Sequence, residues 1–217
     1  PWAYWGSLPF TSGPVYFGAI VLFLFVAGMF YSKDPTKWWW LAALVLSLFL
    51  SMGKNLMWFN SLFFHYLPFY NKFRSVNMAL VIGQITVAIY AIISLNDLLK
   101  EKADKAAIKK ALLRSLYILG GFCVLMILYS GGAELGDTTK APAEAIADRA
   151  KYLRMDALRS LFFMGAAFAA FWYYLKDKLN GQYLTIAVGV LILVDMWMVD
   201  RRYLNDKSWE KAKNYQS

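Results

Sequence analysis

The chain has one cysteine and one histidine in 217 residues. Cys123 therefore has no partner for a disulfide within the chain. His65, as the only imidazole, leaves no Cys/His set of the kind that holds a structural or catalytic zinc. The spacings CxxC, HExxH, GxxxxGK[ST] and GxGxxG are all missing, which removes redox dithiols, zinc proteases, P-loop enzymes and dinucleotide-binding domains. A serine or cysteine nucleophile with a histidine base is not assembled either. No cofactor is expected. Charged residues are also sparse, at 17%.

Apolar residues fill that space. The chain is 59% hydrophobic and 18% aromatic, with a mean hydropathy of +0.42. A soluble domain of this size has too little interior for so much apolar surface, and the apolar residues run in long blocks rather than stripes. That is the pattern of a polytopic membrane protein. The net charge of +9 does not point to nucleic acid, because many of the cations sit in short loops between apolar blocks. There they set topology and meet anionic headgroups. The lipid bilayer is thus the first expected partner.

The blocks predict an all-α transmembrane helical bundle of about six spans, at 15–31, 38–52, 76–95, 112–129, 160–175 and 182–199. The stretch 76–95 is the clearest, since its 20 residues match a hydrocarbon core of roughly 30 Å. Trp38, Trp39 and Trp40 open the second span as an interfacial anchor. Residues 53–73 are aromatic but broken by Pro68, so an interfacial segment is expected there. The polar insert 130–159 reads as a loop followed, from about Pro142, by an amphipathic helix. Residues 1–199 form one bundle, and 200–217 is a polar tail leading into an extracytoplasmic region. The chain starts at Pro1 without a basic leader, so it is expected to be an internal piece that works with the remainder of its own polypeptide.

Loops 32–37, 96–114 and 176–181 hold 10 of the 23 Lys/Arg in few residues. The positive-inside rule places them in the cytoplasm, and the long aromatic loops outside. On that outer side, Lys72 and Arg74 sit on a short turn beside Tyr70 and are suited to gripping a phosphate at headgroup level, Arg through its planar fork. Arg149, Tyr152, Asp156 and Arg159 share one helical face, with Asp156 placed to pair with Arg159 and to accept from Tyr152. Asp195 is an acid inside a span, where carboxylates face a cavity or a partner, although it lies near the outer end, close to water. His65 is a further candidate, for stacking on a sugar or moving a proton. Each also has a plainer reading as a membrane anchor or a solvated face.

The strings YWGSLPFTSGPVYFGA, SMGKN, PFYNKFRSVNMALVI, DRAKYLRMDALRS and VDMWMVDRRYLND, in this order, resemble the YfhO family of bacterial membrane proteins, in the versions found in Bacteroidetes-type bacteria. The resemblance implies a GT-C-like membrane glycosyltransferase acting in cell-envelope glycosylation at the outer face of the cytoplasmic membrane. Its donor would be a polyprenyl-phosphate-linked sugar, and its catalytic carboxylate would lie upstream of this chain. Lys72, Arg74, Asp156, Arg159 and Asp195 fall on matching strings, which implies donor-phosphate binding for Arg74 and Arg159. Two other readings use the same residues: a transporter or flippase of an anionic lipid or sugar, with Asp195 as coupling site, and a non-catalytic envelope scaffold.

Overall fold

The computed structural model describes residues 15–68, 70–72, 76–100, 104–132 and 143–204. Seven α-helices account for most of them: α1 (Ala19–Tyr31), α2 (Lys37–Ser51), α3 (Met57–Tyr66), α4 (Leu80–Leu98), α5 (Lys105–Gly132), α6 (Ala143–Leu175) and α7 (Gly181–Tyr203). Short 3-10 turns precede α3 and α4, and no strand occurs among the described residues. Four segments are long and apolar enough to cross a membrane: Asn77–Leu98, Lys105–Gly131, Asp148–Leu175 and Gly181–Arg202. The bent pair Lys37–Ser51 and Gly53–Tyr66 makes a fifth if counted as one span. Among the described residues the protein is thus all-helical, with four to five membrane-length segments where six spans were read from the sequence.

The first block accounts for much of that difference. α1 has 13 residues, about 20 Å at 1.5 Å per residue, short of the ~20 residues a bilayer needs. It is also the middle of the molecule, with Ile20, Phe23 and Ala27 fully buried. Together with residues of α4, α5, α6 and α7 they form the main core cluster. A short helix is tolerable there because protein groups satisfy its free ends. Lys37 Nζ donates to the carbonyls of Met29 (3.1 Å) and Ser32 (2.7 Å) at the C-terminal end. Ser115 Oγ donates to Phe23 O at 2.8 Å midway.

Two predicted boundaries shift for a common reason. The amphipathic helix on the outer loop and the fifth span are one continuous helix, α6, of 33 residues. The sequence 143–164 contains no glycine or proline to stop it. Similarly, α5 begins at Lys105 rather than 112, because Lys109 and Arg114 cover apolar rings instead of ending the helix. Lys109 Nζ lies 4.8 Å from the Trp172 ring centre, and the Arg114 guanidinium 5.6 Å from that of Phe30.

The chain turns by 109° between α2 and the segment that ends in α3, so residues 53–66 do not continue the preceding helix. Asn60 ties the corner. Its amide nitrogen donates to Gly53 O (3.1 Å), Phe49 O (3.3 Å) and Leu56 O (3.4 Å), and its oxygen accepts from the Tyr70 hydroxyl at 2.8 Å. Asn60→Leu is expected to cost about 1–3 kcal/mol, the penalty of leaving buried polar groups unsatisfied. The loss should appear as faster amide exchange confined to residues 53–72, whereas uniform protection would mean that the bend is held by packing alone.

Candidate functional site

α1 starts where the chain reverses out of an extended segment at Gly18, whose φ of +84° suits a residue without a Cβ. That turn brings the Tyr16 side chain back against the first turn of α1. Its hydroxyl donates to both oxygens of Asp195, at 2.9 and 2.8 Å, and the Ala19 amide is shared between Tyr16 Oη and Asp195 Oδ2, each at 3.0 Å. Gln84 of α4 secures the same segment, donating to Tyr16 O at 3.2 Å. The Asp195 carboxylate on α7 therefore caps a helix start with a favourable dipole. It is 1% exposed, so it does not reach water, as its nearness to the outer end had suggested.

Arg159 of α6 is the cation against this carboxylate. Its Nε lies 3.4 Å from Asp195 Oδ1, its Nη1 lies 3.4 Å from Asp156 Oδ1, and the guanidinium sits 5.0 Å from the Tyr16 ring centre. The side chain is 10% exposed. Both contacts are ion pairs by distance, yet neither has the alignment of a hydrogen bond, and Nε and Nη1 remain buried without an acceptor. Buried donors of a charged group are costly to leave unmet. Arg159 is thus held electrostatically by two carboxylates while keeping donor capacity unused.

Asp156 also meets Arg202 near the end of α7. The pairing is bidentate, with Nη1 to Oδ2 at 2.9 Å and Nη2 to Oδ1 at 2.8 Å. Tyr152, expected to bond Asp156, lies instead beneath Arg202, 5.2 Å from guanidinium to ring centre. Asp156, Arg159 and Arg202 line one wall of a cavity of about 300 Å³ whose other walls come from α5 and the segment before α1, including Phe122, Cys123 and Val15. A second cavity of about 210 Å³ shares Val15, Tyr16, Phe122, Cys123 and Ser160 with it and extends between Leu22, Leu119 and Met164. Together they make a charged mouth continuing into an apolar trough.

The sequence-predicted residues divide accordingly. Asp156, Arg159 and Asp195 come together, as Asp156 and Arg159 were expected to. Arg149 lies buried on α6, two helical turns before Asp156, and lines neither cavity. His65 is exposed on α3, its Nδ1 2.8 Å from Ser61 O of the same helix, and Lys72 is exposed in a 3-10 turn. Neither lines the two cavities. Arg74 lies outside the described residues. Tyr16 and Arg202 were not singled out from the sequence. Arg202 carried a usable signal, since it follows Asp195 by seven residues and so shares its helix face.

A larger cavity of about 500 Å³ opens at the opposite end of the bundle, beside Asp34, Asp97 and Asp104. Its carboxylates already have partners. Asp34 accepts from the Thr36 amide, which holds its pKa below the ordinary value; Asp97 pairs with Lys100; Asp104 caps α5 through the amides of Ala106 and Ala107. No group of three or more metal-ligating side chains occurs among the described residues. Comparison with family models, characterised proteins and solved structures gives no match.

Proposed function

We propose that this chain is the lipid-phosphate-binding part of a bacterial membrane glycosyltransferase of the YfhO kind, transferring sugar from a polyprenyl-phosphate donor for cell-envelope glycosylation. In this reading α1 and α2 complete a six-segment bundle in the cytoplasmic membrane and α3 lies in its outer interface. The basic ends of α4 and α5 face the cytoplasm and the Arg159 site faces outward. The observation that carries it is Arg159: a nine-tenths buried guanidinium with unmet donors at the head of a trough lined by apolar side chains. A phosphate on an isoprenoid chain matches both ends of that surface.

Transfer expels the donor phosphate with added negative charge. Arg159, which lines the cavity, would bind the phosphate oxygens, and would bind them more strongly as charge develops. Asp195 would hold the guanidinium in place during the step, acting as a positioning residue. Preorganised donors of this kind account for about 100–1,000-fold in rate when one is removed. The carboxylate that activates the acceptor would come from the remainder of the polypeptide.

Native mass spectrometry of the full-length protein with undecaprenyl phosphate tests the reading. Wild type should retain the lipid, and Arg159→Ala should lower the retained fraction by about tenfold or more, the worth of one charge-assisted hydrogen bond. Equal retention by the two proteins would remove Arg159 from the site.

A further inference from the structure

The central helix α1 is covered unevenly. α5 packs along it, whereas α2 packs mainly on α4. Between α2 and α5, at the end of the bundle where loop 32–37 lies, a strip of α1 stays open and Phe30 is 42% exposed. The strip forms the floor of a groove of about 450 Å³, within the range of about 300–1,000 Å³ usual for small-molecule sites. Phe25, Val26, Met29 and Phe30 of α1, Leu41 of α2 and Ile118 of α5 line it. The cavities beside Arg159 share none of these residues.

Two cations stand beside the groove. The Arg114 guanidinium, one turn before Ile118 on α5, lies 5.6 Å from the Phe30 ring centre. Lys37, at the start of α2, is part of the lining. Its Nζ gives two of an ammonium's three donors to Met29 O and Ser32 O, which leaves one. Among the described residues neither cation pairs with a carboxylate. Asp34, the acid nearest Lys37 in sequence, accepts from the Thr36 amide and lines the other cavity, beside Asp97.

An apolar groove by itself would suit a further helix of the polypeptide as well as a lipid. Two features favour the lipid. The groove follows α1 only over residues 25–30, about 8 Å at 1.5 Å per residue, whereas a spanning helix packs along a face of roughly 30 Å. Its charged end also offers a guanidinium fork and a lysine donor with no acid between them, the arrangement that receives a phosphate. A zwitterionic headgroup would bring an ammonium that meets no carboxylate there.

We propose that this groove holds one anionic phospholipid from the leaflet at that end of the bundle, with its phosphate on Arg114 and Lys37 and an acyl chain along residues 25–30 of α1. The lipid completes the cover of the central helix. This site is independent of the Arg159 reading above.

The test uses the full-length protein in nanodiscs of equimolar phosphatidylcholine and dioleoyl phosphatidylglycerol, with retained lipid read by native mass spectrometry. Wild type should prefer phosphatidylglycerol by about tenfold, and Arg114→Gln should remove that preference, the worth of one charge-assisted hydrogen bond. Ile118→Trp, which fills the groove and leaves both cations in place, should lower retention as far. Because Arg159 can hold a phosphodiester at its own cavity, each comparison is repeated in Arg159→Ala, where the loss on Arg114→Gln should be the same size. Equal retention of the two lipids by wild type, no change in Arg114→Gln, or a loss seen only with Arg159 intact overturns the proposal. Unchanged retention by Ile118→Trp would reduce the site to surface charge and overturn the groove. Benzoylphenylalanine in place of Ile118 distinguishes the occupants. Photolysis should give a lipid adduct, whereas a cross-link to another segment of the polypeptide assigns the groove to a helix and overturns the lipid. Where a substituted protein does not assemble, the wild-type preference and the photo-adduct still decide.

Discussion

Asp195→Leu is expected to destabilise the bundle by about 3–5 kcal/mol, the cost of breaking a buried ion pair from one side. Three consequences combine. Arg159 loses the carboxylate beside its Nε, the Tyr16 hydroxyl loses its acceptor, and the Ala19 amide at the start of α1 loses one of its two. Because α1 is the central helix, loosening its first turn affects α4, α5, α6 and α7 together. Thermal unfolding of wild type, Asp195→Leu and Asp195→Leu/Arg159→Leu in nanodiscs checks this. The double variant should recover much of the loss, because replacing a whole buried pair with apolar side chains is often near neutral. It should still fail to retain undecaprenyl phosphate, which separates the stabilising part of the cluster from its binding part. If the double variant is as unstable as Asp195→Leu or worse, the main role of Asp195 is to cap α1 rather than to balance Arg159.

Gly28→Ala is the second large effect. A Cβ at Gly28 would collide with Ser94 Oγ and stand 2.6 Å from Ser94 Cβ and 3.1 Å from Tyr90 Cε1. The first contact is relieved by rotating the hydroxyl, at the loss of its 2.7 Å hydrogen bond to Tyr90 O. The second is not, since Ser94 Cβ is fixed to the α4 backbone. The helices must therefore separate, and overpacking of this kind costs about 1–3 kcal/mol. Ser94→Gly removes both obstructing atoms, so Gly28→Ala/Ser94→Gly should be more stable than Gly28→Ala despite about 1 kcal/mol of lost helix propensity. A double variant no better than the single one would show that the α1–α4 crossing adapts to the methyl group by other means.

Composition and block length made the class legible. Membrane-length apolar runs became α4, α5, the second half of α6 and α7, because a continuous apolar run of that length closes its own backbone hydrogen bonds as a helix. The separate segment at 53–73 was visible too, through its short apolar length, and the structure bends the chain by 109° where it begins, between Ser51 and Gly53; Pro68 lies beyond the end of α3. What could not be read was the position of α1. Hydropathy reports transfer from water to an apolar medium and does not distinguish lipid from protein interior, so a 13-residue helix sealed by its neighbours looks like a slightly short span.

The same limit governs the site. Asp156 and Arg159 were legible as an i, i+3 pair because helix geometry alone brings them together. Their remaining partners lie 46 residues away for Arg202 and 36 for Asp195, and Tyr16 is 179 residues from Asp195. Sequence by itself determined which segments are apolar helices, that the short basic loops share one end of the bundle, and which face of α6 carries charge. Only the tertiary structure decided that this charged face turns inward to α7, that Asp195 is sealed behind Arg159, and that an apolar trough begins at Arg159. The reason is physical: backbone hydrogen bonding and solvent transfer act locally along the chain, whereas burial of a charge depends on which distant groups surround it.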